Sequence, residues 1–306
     1  MPIKIPNKLP AVRTLEEENI FVMTERRALM QDIRPLRILL LNLMPTKIDT
    51  ETQFSRLLGN TPLQVELTLL HTRTHEAKNT SREHLLTFYK CFEDIENESF
   101  DGMVVTGAPV EKFNFEEVEY WEELCRIMDW GRRHVHSTIY VCWGAQAALY
   151  HFYGIGKRHM KEKVFGVFPH EVLRPDIPLF RGFDDVFYAP HSRHTESDAE
   201  AIFGHYAITV LARSEKAGLF AMEAKGGREI FITGHPEYDP LTLEKEYLRD
   251  KSLGLPIRVP EHYYPNDDEG LPPRVTWRAH ANLLYSNWLN YYVYQTTPYD
   301  ISEISK

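Results

Sequence analysis

The chain has 306 residues, with 35 Lys and Arg against 44 Asp and Glu, a formal charge of −9, 43% hydrophobic and 26% charged residues. That length and composition suit one large α/β domain or two smaller ones around a sizeable core, and they exclude global disorder. The acidic balance argues against a dedicated nucleic-acid binder, and the most apolar early run, residues 38–43, is too short to span a bilayer.

The first 34 residues read as an arm. Pro2, Pro6 and Pro10 break its start, no secretory apolar core follows, and the acidic cluster Leu15-Glu16-Glu17-Glu18-Asn19 predicts the start of a helix. The arm serves either to cover the main domain or to reach a neighbouring subunit. From Arg37 a continuous apolar run ended by Met44-Pro45 predicts a strand buried on both faces. Residues 49–58 read as a helix and 63–70 as a second strand. Thr80-Ser81-Arg82-Glu83 caps another helix, and residues 100–107 form a third strand running into a glycine turn. A long amphipathic helix is expected at 116–135, then a short strand at 137–141. This alternation implies parallel strands with right-handed crossovers and a ligand site beyond their carboxyl ends.

After Arg158 the pattern becomes richer in strands. Residues 217–224 and 229–233 flank Lys225-Gly226-Gly227-Arg228, a hairpin turn. The Pro-rich stretch 254–275 has the length of a lid or interface loop, and residues 277–294 read as an aromatic-rich helix. The domain reading is an arm at 1–34, one α/β domain at 35–300 and a tail at 301–306. Cys91, Cys125 and Cys142 have neither metal spacing nor a paired framework, which points to a reducing compartment and a cytoplasmic location.

Two segments carry candidate chemistry. In Tyr140-Val141-Cys142-Trp143-Gly144-Ala145-Gln146 an apolar strand ends at a cysteine and an Ala-rich helix follows. That is the pattern of a nucleophile elbow, where strained backbone and a helix N-terminus favour a reactive thiolate. A buried structural cysteine fits the same local pattern. In Ile232-Thr233-Gly234-His235-Pro236-Glu237 a second strand delivers a histidine with a carboxylate two positions on. Alone it reads as a polar turn; with Cys142 it completes a thiol, an imidazole base and an orienting carboxylate. His134 with His136, and His191 with His194, lack a convergent framework, so no metal is expected. No phosphate loop or dinucleotide fingerprint is present.

Cys142 with Trp-Gly-Ala-Gln, followed by Gly-His-Pro-Glu, resembles the class I glutamine amidotransferase-like superfamily, a flavodoxin-like three-layer α/β sandwich with a mostly parallel sheet. Within it the chain more closely resembles the homoserine O-acyltransferases of methionine biosynthesis. The resemblance is carried by Leu43-Met44-Pro45-Thr46-Lys47, Val105-Thr106-Gly107-Ala108-Pro109-Val110-Glu111, Pro190-His191-Ser192-Arg193-His194 and Gly234-His235-Pro236-Glu237-Tyr238-Asp239. It implies ping-pong acyl transfer through a Cys142 thioester, with His235 as base and Glu237 as its orienting partner. It also implies that Lys163, Ser192 and Arg249 contact homoserine, that Lys47 supports the acyl site, and that amides near Trp143 and Gly107 stabilise an oxyanion. By the same resemblance the protein is a homodimer that needs no cofactor beyond acetyl-CoA as co-substrate.

Taken alone, Lys163 reads as a surface charge, Arg249 as part of a helical ion-pair face and Ser192 as a turn residue. Glu111 implies the donor: in the family, glutamate here goes with acetyl and glycine with succinyl. A carboxylate side chain fills the volume and repels a succinyl carboxylate. L-Homoserine and acetyl-CoA are therefore the expected substrates, with no membrane or nucleic-acid partner. Succinyl transfer, glutaminase activity, thioester hydrolysis and a non-catalytic reactive thiol are the competing readings.

Overall fold

The computed structural model describes residues 3–5, 9–17, 22–24, 34–74, 80–298 and 301–304. In chain order it begins with β1 (Ile3–Ile5), α1 (Ala11–Glu17), β2 (Val22–Thr24), β3 (Leu36–Leu41), α2 (Lys47–Gly59), β4 (Val65–Leu70) and α3 (Arg82–Phe88). There follow β5 (Tyr89–Lys90), β6 (Phe100–Val105), α4 (Trp121–His134), β7 (Val135–Val141) and α5 (Trp143–Tyr153). The second half holds β8 (Lys157–Val172), β9 (Val186–Ser197), α6 (Ala199–Gly204), β10 (Ile208–Ser214), β11 (Gly218–Ala224), β12 (Glu229–Ile232), α7 (Thr242–Ser252) and α8 (Arg278–Asn287).

One sheet runs β2-β1-β4-β3-β6-β7-β12-β11-β10-β8-β9, with β5 paired to β4. It is parallel from β2 to β12 and antiparallel from there to β9. Successive side chains on a strand face opposite ways, and here both faces are covered. Ile38, Leu40, Val104, Ile139, Val141, Ile230 and Ile232 join one apolar layer with Phe54 and Leu58 of α2 and Leu284 and Tyr285 of α8. Their neighbours Leu39, Leu41, Val105, Tyr140 and Phe231 join the other with Leu124 and Ile127 of α4 and Ala147 and Ala148 of α5. Among the described residues, no helix is long and apolar enough to cross a membrane.

Several boundaries differ from those expected. Glu16 and Glu17 end α1 rather than start a helix, because the chain turns at Pro10 and helix begins there; Glu18 and Asn19 lie outside the described residues. The helix expected at 116–135 is a 3-10 turn, Phe115–Glu117, followed by α4. Asn114 and Glu117 box the turn reciprocally, and Phe115 stacks on Trp121 and Tyr150 at 5.3 and 4.6 Å. At the other end, Val135 leaves the helix to pair with Phe100. Ser81 caps α3 by accepting from His84 N at 3.2 Å.

β11 and β12 form the expected hairpin, but its turn passes three residues through positive φ, at Lys225, Gly226 and Gly227. Past Asn287 the aromatic helix widens into a π-helix, Trp288–Tyr294. The Pro-rich loop is docked: Glu261 exchanges backbone bonds with Phe165 and Val167 of β8, and Tyr263 and Tyr264 are buried beside Leu243 and Trp277.

Candidate active site

The neighbouring strands β6, β7 and β12 end side by side, so Gly107, Cys142 and His235 follow three adjacent carboxyl ends. Cys142 makes the corner between β7 and α5 with φ 50° and ψ −115°. Such backbone at a non-glycine residue costs on the order of 1–3 kcal/mol and persists only where the surroundings over-determine it. Here Cys142 N donates to Ile232 O at 2.7 Å, while its carbonyl accepts from Ala145 N and Gln146 N at 3.0 and 3.2 Å. A Cβ on Gly144 would lie 2.6 Å from Thr106 O, so α5 can start directly against the end of β6 only with glycine there. The Trp143 and Gly144 amides precede the first helical bond of α5 and lie beside the thiol's own corner. The Trp143 ring is core, packed near Phe115 and Tyr120.

His235 N donates to Pro190 O at 2.8 Å, fixing the loop after β12 against β9. Its Nδ1 lies 2.7 Å from Glu237 Oε1, and Cys142 acts on the ring electrostatically from the neighbouring strand end. A Cβ at Gly107 would sit 3.2 Å from Cys142 Cβ and 3.5 Å from His235 Cε1, so the absent side chain leaves room beside both groups. Burial opposes a charge on the imidazole, but Cys142 and Glu237 outweigh it and hold His235 well above its usual range. Arg56 Nη1 binds Asp239 Oδ1 at 2.6 Å and so ties the segment after Glu237 to α2. A thiol, an imidazole and a carboxylate in this order have the chemistry of a nucleophile, a proton carrier and an orienting group.

Tyr238 was not anticipated. Its ring stacks on His235, with centroids 4.2 Å apart and planes 12° from parallel. Burial, with Glu246, Glu237, Cys142 and Glu111 around it, holds its hydroxyl well above the usual phenol range, so it is a neutral donor. Glu246 was also missed, and it organises the residues expected to meet an amino acid. Lys163 Nζ lies 2.5 Å and Ser192 Oγ 2.7 Å from the same Glu246 Oε1, and Lys163 is 3.7 Å from Asp250. Arg249, more exposed, binds Asp250 Oδ1 at 2.6 Å and reaches Glu246 at 4.0 Å. Lys163, Ser192 and Arg249 are thus brought together around two carboxylates of α7. The available signal was Glu246 three positions before Arg249 on one helix face.

Glu111 is half-buried, and its Oε2 accepts from His194 N at 2.8 Å, Thr195 N at 3.2 Å and Thr195 Oγ1 at 3.1 Å. Lys157 donates to the carbonyls of Glu111 and Phe113 at 2.5 and 2.7 Å, pinning that loop. Lys47 lies apart from these contacts: its buried ammonium donates to Asn42 O at 2.6 Å and Met44 O at 3.3 Å. Burial, opposed by Glu51, lowers its pKa to about 8. His191 faces His170, ring nitrogens 2.9 Å apart, in a buried pair. Among the described residues, no group of three or more His, Cys, Asp or Glu is arranged to hold a metal ion.

Comparison with known proteins follows the same lines. The profile of a family described as homoserine O-succinyltransferase matches residues 2–299. The chain is 61% identical to a homoserine O-acetyltransferase of Acetivibrio thermocellus, over 99% of this chain and 100% of that one. It is 58% identical to the homoserine O-acetyltransferase of Brevibacillus brevis, over 99% of each chain. Among solved structures, a glutamine amidotransferase from Thermotoga maritima superposes with a TM-score of 0.54 at 12% identity, covering 84% of this chain and 98% of that one. One from Methylobacillus flagellatus gives 0.52 at 11% identity over 85% and 95%. These two share the fold.

Proposed function

The chain belongs to the homoserine O-acyltransferase family, and from that membership we propose that it transfers an acetyl group from acetyl-CoA to the γ-hydroxyl of L-homoserine. Full-length identity of 58–61% to homoserine O-acetyltransferases is the observation that carries this reading. The half-buried carboxylate of Glu111 supports acetyl over succinyl, because a second carboxylate placed beside it would be repelled in a partly dry pocket.

In the first half-reaction the Cys142 thiolate attacks the thioester carbon of acetyl-CoA. The bond to the CoA sulfur breaks, and the leaving thiolate takes the proton held on His235. The oxyanion formed on the way is stabilised by amides at the Cys142 corner and the Gly107 turn. In the second, neutral His235 takes the γ-hydroxyl proton of homoserine, and the oxygen attacks the acyl carbon. Cys142 then leaves as a thiolate beside the imidazolium, which restores the starting state. Loss of the thiolate charge on acylation removes one of the two groups that favour the imidazolium, so the ring gives up its proton more readily in the intermediate.

Lys163, Ser192 and Arg249 would contact homoserine, Arg249 through its carboxylate, with Glu246 between Lys163 and Ser192 meeting its amino group. Tyr238, stacked on the base, would close one wall. The same reading carries a cytoplasmic location and methionine biosynthesis as consumer of the product. The test is CoA release from acetyl-CoA and succinyl-CoA, each with and without homoserine. Homoserine-dependent release from acetyl-CoA alone supports the reading; release only from succinyl-CoA replaces the donor, and glutamine hydrolysis without either replaces the reaction.

A further inference from the structure

The odd positions of β9 from 191 to 197 form one buried row, with His191 and Thr195 at 0% exposure, Arg193 at 2% and Ser197 at 8%. A guanidinium is the exception in such a row, because a buried cation is costly unless a carboxylate meets it. The partners of Arg193 are neutral. Nη1 donates to Thr195 O at 3.1 Å and faces Met160 Sδ at 3.6 Å, Nη2 donates to the carbonyl of Ala217, and Nε donates to His191 Nδ1 at 3.4 Å. Burial holds His191 well below its usual range, so that ring carries no charge. Glu196 is bound to Arg158 at 2.9 Å, and Glu111 to the amides of His194 and Thr195.

These bonds seat the cation between the two corners of the candidate site. Thr195 O also accepts from Gln146 Nε2 at 3.1 Å, and Gln146 N bonds back to Cys142 O at 3.2 Å. On the other side, a Cβ at Gly234, the residue before His235, would lie 3.0 Å from His191 Nε2. Burial opposes the charge of the guanidinium, and Cys142 is the first group that favours it, ahead of Glu196 and Glu111. Such coupling is mutual: the cation favours a thiolate as much as a thiolate favours the cation. We propose that Arg193 is the positioning cation of the nucleophile: its buried charge, met only by neutral partners, stabilises the Cys142 thiolate and so keeps the shared proton on His235. This rests on Cys142 being the nucleophile of the reaction read above, and deepens it. The titratable groups around the sulfur are His235, Glu237 and Tyr238 from the loop after β12 and Arg193 from β9; around the guanidinium stand His191, His170, Glu196 and Glu111. Burial keeps both His170 and His191 neutral, so of these groups His235 and Arg193 bring positive charge to the sulfur. They differ in permanence. His235 must release its proton in each turnover, whereas a guanidinium keeps its own, and Arg193 still favours the thiolate when Cys142 leaves the acyl group. A purely structural tie has no such need of charge, because apolar replacements of buried charges are often neutral for stability.

The experiment reads the pH dependence of Cys142 alkylation by iodoacetamide, which consumes the thiolate, with the product located on the Cys142 peptide by mass. Arg193→Met should move the limb up by about one pH unit, a roughly tenfold slower alkylation below it, and Arg193→Lys should keep most of the wild-type position. In Arg193→Ala the vacated space joins a cavity of about 170 Å³ lined by Gln146 and Thr233. Guanidinium in the tens-of-millimolar range should then bring the limb back, and urea, its neutral isostere, should not. A wild-type limb in Arg193→Met would overturn the proposal, as would equal rescue by urea. If the Arg193 variants do not fold, Met160→Glu against Met160→Gln decides, since the first sets a carboxylate beside the guanidinium and the second a neutral group of the same shape. A higher limb in Met160→Glu supports the role of the charge, and identical limbs contradict it. Alkylation needs no acyl-CoA, so the expected shifts in a protein that transfers no acetyl group would remove the acyl-transfer reading and leave Arg193 in its role. Wild-type Cys142 reacting no faster than Cys91 and Cys125 would remove both.

Discussion

Replacing Glu237 with glutamine isolates one charge. Glu237 Oε1 is 2.7 Å from His235 Nδ1, and Oε2 is buried with no hydrogen-bond partner among the described residues. A glutamine can therefore keep its carbonyl on Nδ1–H and turn its amide group to the vacant side, so tautomer and ring orientation survive. A hydrogen bond to a charged group contributes about 1.5–3 kcal/mol and a neutral one about 0.5–1.5 kcal/mol. The loss is then about 1.5 kcal/mol, roughly tenfold in the rate of acylation.

The pH dependence fixes the sign. The folded state holds His235 above its ordinary value of 6.5, so the stability gained from its protonated form is fully present below pH 6.5 and fades as pH rises through the higher folded value. Glu237→Gln should narrow that window, moving the upper limb of the difference in unfolding free energy toward pH 6.5. Intact-mass acylation rates with acetyl-CoA from pH 5.5 to 9.5, with denaturant unfolding at the same pH values, give both readouts. An acylation rate and a stability–pH profile both equal to those of the wild type would refute an electrostatic role for Glu237 at this imidazole.

Three other changes test separate parts. Gly144→Ala places a Cβ 2.6 Å from Thr106 O and 3.1 Å from Val105 O. Overpacking of about 1–3 kcal/mol exceeds the helix-propensity gain of about 1 kcal/mol, so the melting temperature should fall by a few degrees; an increase would mean that the corner yields. Glu246→Gln should raise the KM for homoserine about tenfold or more, as expected for losing a charged partner, while acyl-enzyme formation from acetyl-CoA persists. Equal losses in both half-reactions would place Glu246 outside the acceptor site. His170, driven to about pKa 3 by burial, contributes stability above its unfolded value of 6.5 that is lost as pH falls toward 3. His170→Asn should flatten acid unfolding across that interval, and an unchanged acid limb in urea melts would contradict it.

Much of the candidate site was legible because local sequence alone builds it. A strand buried on both faces, one cysteine at its end and glycine two positions later specify the elbow. Gly234 and His235 continue a second strand in the same way. The apolar runs at 38–43, 100–105 and 137–141 mark central strands because each must be covered on both sides. Boundaries were less legible where packing competes with periodicity: Phe115 leaves the expected helix to stack on Trp121 and Tyr150, and Val135 leaves it to pair with Phe100.

What the sequence by itself determined was the alternation of strands and helices from residue 37 to 141, the elbow at Cys142 and the adjacency of His235 and Glu237, because each arises from residues only a few positions apart. Only the tertiary structure decided that β6, β7 and β12 lie side by side, which brings Gly107, Cys142 and His235 to one point. It alone gathered Lys163 and Ser192 on Glu246, and laid Glu111 across the amides of His194 and Thr195. These contacts join residues 54 to 84 positions apart. No local propensity encodes them, because they exist only once the sheet fixes which strand edges and helix faces meet.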